Sequence, residues 1–170
     1  MSEVPSGSWD SPHQEKFARP AGRRSRTPGE TGSDEAAGPD PADVHTWYTT
    51  GMELLEKGSP AAAAQVLQRA VNAEPSSRSV REALARAQFD TGQYAAAAEN
   101  FRVIVEASPT DDYAHFGLGL SLARAGEHAA AAEYLALAAA MRPDNPHYTE
   151  ALRSVRATLQ ARKTAEEGTE

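Results

Sequence analysis

Slid against itself by 34 residues, the sequence keeps its punctuation. Runs of four alanines begin at Ala61, Ala95 and Ala129, each three residues after Gly58, Gly92 and Gly126, and Pro75, Pro109 and Pro143 hold the same offset. A period of that length is one supersecondary unit repeated, and a single unit cannot bury its own apolar face, so the units must stack. Within each unit a helical window precedes the Gly, a second follows it, and the Pro closes the unit. The spacing predicts helix pairs at 44–57 with 60–73, 78–91 with 94–107 and 112–125 with 128–141, then a last helix from 146 to about 162. Asp43 and Asp111 are candidate N-caps, as are Ser59 and Asn145, each followed by Pro at the first helical position.

Composition divides the chain at the start of the repeats. Residues 1–41 hold six of the 11 Pro and five of the 12 Gly, with only Met1, Val4, Trp9 and Phe17 as sizeable apolar side chains. That is too little burial to offset chain entropy, so 1–41 is read as a disordered tail; residues 164–170 are expected to be a disordered C-terminus. Trp9 and Phe17 could anchor a short motif, and Arg23 to Thr27 has the pattern of a basic kinase site. From residue 42 the chain is rich in Ala, Leu, Glu, Gln and Arg, the helix-forming set, and carries no strand signal: an all-α fold.

The net charge of −7 has the wrong sign for neutralising phosphates or anionic lipid, so neither nucleic acid nor membrane is an expected partner. The most apolar stretch, 129–141, is too short to cross a bilayer and carries Glu133. No export signal is visible at the N-terminus, which makes the cytoplasm the expected location. Without Cys the chain has no disulfide, thiolate nucleophile or cysteine zinc site. Abundant Ala and Arg beside three Lys is associated with GC-rich bacterial genomes.

The repeat resembles the tetratricopeptide repeat (TPR) over residues 44–145. The first unit shows Trp47, Gly51, Leu54, Gly58, Ala63, Leu67, Ala70 and Pro75, and the third shows Leu118, Gly119, Leu122, Gly126, Ala131, Leu135, Ala138 and Pro143. The second departs at Arg81 and Gln88, where the first has Trp47 and Leu54, then returns to pattern at Leu84, Ala85, Gly92, Ala97, Phe101, Ile104 and Pro109. The resemblance implies an α-solenoid of about seven helices. In it Gly51, Ala85 and Gly119 face Ala63, Ala97 and Ala131, and helix 146–162 caps the stack through Leu152, Val155 and Leu159.

In that family the first helix of each unit lines the concave, partner-holding side. Carried over by register, the groove is His45, Tyr48, Met52 and Leu55, then Ser79, Glu82, Arg86 and Phe89, then Tyr113, Phe116, Leu120 and Arg124. Most of these are large apolar or aromatic residues, which on an exposed face implies a ligand; the alternative is that Tyr113, Phe116 and Leu120 are covered by neighbouring helices or by the tail. Chaperone-binding TPRs hold a terminal carboxylate with Lys, Asn and Arg, and the matching places here are Tyr48, Met52, Ala83, Tyr113 and Gly117. The expected ligand is therefore an apolar or amphipathic protein segment whose acidic groups meet Arg86 and Arg124.

Other motifs dissolve in the repeat register. Gly117-Leu118-Gly119 has no preceding strand, and Gly119-Leu120-Ser121-Leu122-Ala123 imitates a nucleophile elbow inside a helix. His45, His115, His128 and His147 lack the helical spacing of a zinc pair. No cofactor, metal or catalytic constellation is expected. The sequence reads as a non-catalytic protein-interaction module. Self-association into a homodimer and occupation of the groove by the chain's own tail are the alternatives.

Overall fold

The structure, a computed structural model, describes residues 40–168. Its helices are α1 (Pro41–Glu56), α2 (Pro60–Ala73), α3 (Arg78–Asp90), α4 (Tyr94–Ala107), α5 (Asp112–Ala125), α6 (His128–Met141) and α7 (Pro146–Glu167), with no strand among the described residues. The chain therefore forms the α-solenoid of helix pairs that its period implies. The tail expected over 1–41 lies outside the described residues but for its last two positions, where Asp40 caps α1 and Pro41 begins it.

The glycines recur because the turn inside each pair is built identically three times. Gly58, Gly92 and Gly126 have φ of 70°, 79° and 92°, the left-handed region that side-chain-bearing residues avoid. In each turn the residue after the Gly returns its N–H to a carbonyl of the preceding helix: Ser59 to Leu54 at 2.8 Å, Gln93 to Gln88 at 2.8 Å, Glu127 to Leu122 at 2.9 Å. At the helix starts, Asp40, Asp111 and Asn145 accept from the backbone N–H of Ala42, Ala114 and His147, each at 3.0 Å. Asp40 takes the role expected of Asp43, which sits in the first turn of α1, and Ser59 occupies its N-cap without a side-chain bond.

Small residues do bring the helices of a pair together, and a leucine shares the contact. A methyl group on Gly51 would lie 2.5 Å from Leu67 Cγ, and one on Gly119 would lie 2.6 Å from Leu135 Cγ and 3.2 Å from the Ala131 carbonyl oxygen. Each glycine thus seats a leucine, and Gly119 also meets its facing alanine. Leu67, Leu84, Phe101, Leu118, Leu122 and Leu135 are fully buried, each contributing about 1.5–3 kcal/mol of transfer free energy.

The second pair's departures turn out to be joined. Arg81 Nη1 donates to Asn100 Oδ1 at 2.9 Å, and Asn100 Nδ2 donates to Gln88 Oε1 at 2.8 Å. Arg81 Nη2 also reaches the Pro75 carbonyl at 2.7 Å. A hydrogen-bonded chain thus replaces the apolar contacts of Trp47 and Leu54, which lets Gln88 stay buried.

Both ends of the stack are closed by polar residues. Residues at one register face the preceding unit: Val80, Ala83, Leu84 and Ala87 in α3 and Ala114, Gly117, Leu118 and Ser121 in α5 are all buried. The equivalent places in α1 are Thr46, Thr49, Thr50 and Glu53, all exposed. In α7 those places are Tyr148, Ala151, Leu152 and Val155, which pack inward, while the face that would meet a further helix is Thr149, Arg153, Arg156 and Gln160. Such faces end a solenoid. α7 also departs from the expected disorder over 164–167, since it stays helical through Glu167; within it no Gly or Pro follows Pro146, and Lys163 and Glu167 pair across one turn at 3.8 Å.

Candidate functional site: the concave helix face

The backbones of α1 and α3, of α3 and α5, and of α5 and α7 approach one another directly, whereas α2, α4 and α6 make no such approach among themselves. The first helices therefore form the inner, tighter layer of the curve and the second helices the outer one. The concave side belongs to α1, α3, α5 and the start of α7.

On this side the expected residues meet in a series that crosses every unit boundary. Tyr48, half-buried on α1, lies within the field of Glu82 and Arg86 on α3. Burial raises its hydroxyl pKa above the ordinary value and Glu82 adds to the rise, while Arg86 opposes it. Met52 and Leu55 are also half-buried, packed against the first core cluster, and His45 is exposed. Glu82 pairs with Arg78 one turn back at 3.6 Å. Arg86 also sits near Asp90, whose carboxyl is pushed upward by desolvation and partly restored by that guanidinium.

The second boundary is a cation–π contact, with the exposed Arg124 guanidinium 5.7 Å from the centre of the Phe89 ring. Phe89 in turn meets the edge of Tyr94 at 5.3 Å. At the third boundary Phe116 stacks on Tyr148 of α7, with centroids 4.5 Å apart and planes 25° apart. Tyr148 is held there by its hydroxyl, which donates to Asp112 Oδ2 at 2.9 Å, and Arg142 Nε approaches the same oxygen at 3.3 Å.

One expected wall residue is misplaced. Tyr113 is only 5% exposed, with its ring edge against Phe101 at 6.4 Å, so it supports the wall from behind and offers almost no contact surface. Phe116 is partly covered, as the alternative reading allowed, but by the capping helix. Leu120 is half-buried. Tyr148 was missed by sequence reasoning, although the 34-residue shift that aligns it with Val80 and Ala114 marks it as an inward-facing aromatic. Ser121, at the centre of the elbow-like motif, is buried and donates to the Gly117 carbonyl at 2.7 Å, a bond along its own helix. Among the described residues no three His, Asp or Glu side chains gather in a metal-binding cluster.

The chain belongs to the tetratricopeptide repeat family: two tetratricopeptide repeat models match it, over residues 48–112 and 89–155. No curated protein sequence matches it significantly. Solved structures share the fold at low identity. The first TPR of Spaghetti (RPAP3) bound to the HSP90 peptide SRMEEVD aligns at 17% identity and TM-score 0.67, covering 72% of this chain and 98% of that one. MamA from Desulfovibrio magneticus RS-1 aligns at 22% identity and TM-score 0.68, covering 75% and 72%. The second TPR domain of human RPAP3, in complex with the HSP70 peptide SGPTIEEVD, aligns at 14% identity and TM-score 0.63, covering 68% and 96%.

Proposed function

We propose that this protein is a non-catalytic interaction module whose concave face holds a segment of another protein. The observation that carries the reading is the set of contacts along this face, with Tyr48 near Arg86, Phe89 under Arg124 and Phe116 stacked on Tyr148, which sets aromatic rings beside Arg86 and Arg124. Fold relatives whose structures hold chaperone peptides support a peptide-binding role.

The ligand is an apolar or amphipathic segment with acidic groups, and differs from the chaperone tail type. Two of the places that would carry the carboxylate clamp have structural duties here: Tyr113 is buried, and a side chain on Gly117 would run into Phe101. Self-association through the solenoid ends is disfavoured by Thr46, Thr50 and Glu53 at one end and Arg153 and Arg156 at the other.

The test is selection of binders from a random peptide library on the full chain, followed by affinity measurement with the double variant Tyr48→Ala, Arg124→Glu. The recovered peptides should combine apolar and acidic residues and lose about tenfold or more in affinity for the variant, while its circular dichroism stays that of the parent. Peptides that bind parent and variant alike would place the ligand elsewhere.

A further inference from the structure

The repeat supplies its own control for the outer surface. Six outward places recur in α2, α4 and α6 at 34-residue intervals. In α2 they are Ala61, Gln65, Gln68, Arg69, Asn72 and Ala73; in α4, Ala95, Glu99, Arg102, Val103, Glu106 and Ala107; in α6, Ala129, Glu133, Ala136, Leu137, Ala140 and Met141. Packing asks little of these places, because nearly all are exposed in every pair. Yet they turn from polar in α2 to apolar in α6. Among the described residues the exposed large apolar side chains are Val103, Leu137 and Met141, at 41%, 47% and 39%. Val103 and Leu137 are equivalent places in adjacent pairs, and Met141 stands one turn beyond Leu137. Outer helix α6 is thus apolar nearly all round, which in a solvated position marks a covered face.

The charge around the patch says what covers it. The outward places of α4 and α6 carry Glu99, Glu106 and Glu133 against a single cation, Arg102, which Glu99 already holds. Glu106 and Glu133 have no ion pair among the described residues. Arg162 stands with Gly126 and Glu127 at the far end of α6, about 14 Å along the helix from Leu137. A second copy meeting this face with its own would set three acids against three, with Arg102, which Glu99 already holds, as the one cation at these places in each copy. From the geometry and the charge we infer that the outer face of α6, with Val103 of α4, docks a basic amphipathic helix of a partner protein. Its apolar ridge lies over Ala136, Leu137, Ala140 and Met141, and its Lys or Arg side chains reach Glu133 and Glu106. Alanines at 129, 136 and 140 let the two backbones approach closely.

The probe is a synthetic amphipathic helix with Leu on one face and Lys on the other, labelled for fluorescence anisotropy against the full-length protein; a Leu and Glu helix of the same pattern is the comparison. The Lys helix should bind at least about tenfold tighter than the Glu helix. Leu137→Gln with Met141→Gln should remove about tenfold or more of that affinity, and Tyr48→Ala with Arg124→Glu, in the concave groove, should leave it unchanged. Both exposed substitutions spare the core, and unchanged circular dichroism verifies it. Equal affinity for the two helices, or indifference to the Leu137 and Met141 changes, overturns the inference. So does a dimer of the parent in sedimentation that Leu137→Gln dissolves, since the occupant would then be a second copy.

Discussion

Gly117→Ala asks whether this solenoid is held by close packing or only by its hydrophobic pattern. The glycine lies inside α5, where helix propensity alone makes alanine better by about 1 kcal/mol. The added methyl, however, would fall 2.5 Å from Cε1 and Cζ of Phe101 and 2.8 Å from its Cδ1. Phe101 has no exposed surface and its ring is backed by the edge of Tyr113, so it has nowhere to retreat. Overpacking of a filled core costs about 1–3 kcal/mol, and three ring atoms under the contact limit call for the upper end. After subtracting the gain in propensity, the net loss is about 2 kcal/mol, which lowers Tm by about 7 °C for a domain of this size.

Urea and thermal unfolding followed by circular dichroism measure it, and a double-mutant cycle assigns it. Phe101→Leu withdraws the ring, so Gly117→Ala should be nearly harmless in that background, with a coupling of about 1–2 kcal/mol. Gly126→Ala is the contrasting control. A methyl there meets nothing within 4 Å, but φ is 92°, so its cost of about 1–2 kcal/mol is that of a left-handed backbone and should not depend on Phe101. If Gly117→Ala matches or exceeds the parent in stability, the ring yields freely and the packing argument is wrong. The argument that the clamp place is reserved for Phe101 would fall with it.

Three further outcomes are expected. Asn100→Ala, which strips Gln88 of its partner and Arg81 of one acceptor, should cost about 1–3 kcal/mol in chemical denaturation, whereas Arg81→Trp, Gln88→Leu and Asn100→Val together should recover most of it. Tyr148→Phe should cost about 1–2 kcal/mol through loss of the bond to the Asp112 carboxylate. Burial and that same bond raise the Tyr148 pKa well above the ordinary value, so the folded state holds the phenolic proton more tightly than the unfolded chain does. Its stabilisation is complete below about pH 10 and is lost as pH climbs beyond it, and Tyr148→Phe should flatten that decline in unfolding measured against pH.

Most of the fold could be read in advance because its restraints are local and periodic. A left-handed glycine in each intra-pair turn, a proline between pairs and apolar residues at fixed offsets place every helix to within a few residues. What escaped was non-local. The Arg81, Asn100 and Gln88 chain joins residues up to 19 apart, and each alone reads as a departure from pattern. The burial of Tyr113 followed from Phe101 of the preceding pair, a contact that helical register within α5 cannot reveal. The last turn of α7 runs past the expected end near 162 because helix formers and the i,i+4 ion pair of Lys163 with Glu167 sustain it.

An array of near-copies separates residues kept for packing from those kept for something else. Where a place has the same duty in each unit, its residue type is steady: Ala63, Ala97 and Ala131 are all fully buried. Where the duty ends, the type changes in step, as when Val80, Leu84 and Ala87 give way to Thr46, Thr50 and Glu53 on the first helix. The change from Arg69 through Val103 to Leu137 has no such structural occasion, since all three stand exposed at the same place of successive pairs. Solvent favours arginine there and does nothing to favour leucine. The inferred docking of a partner helix on the apolar face of α6 answers that change, and it would leave the concave side, on the opposite face of the solenoid, free for the proposed peptide.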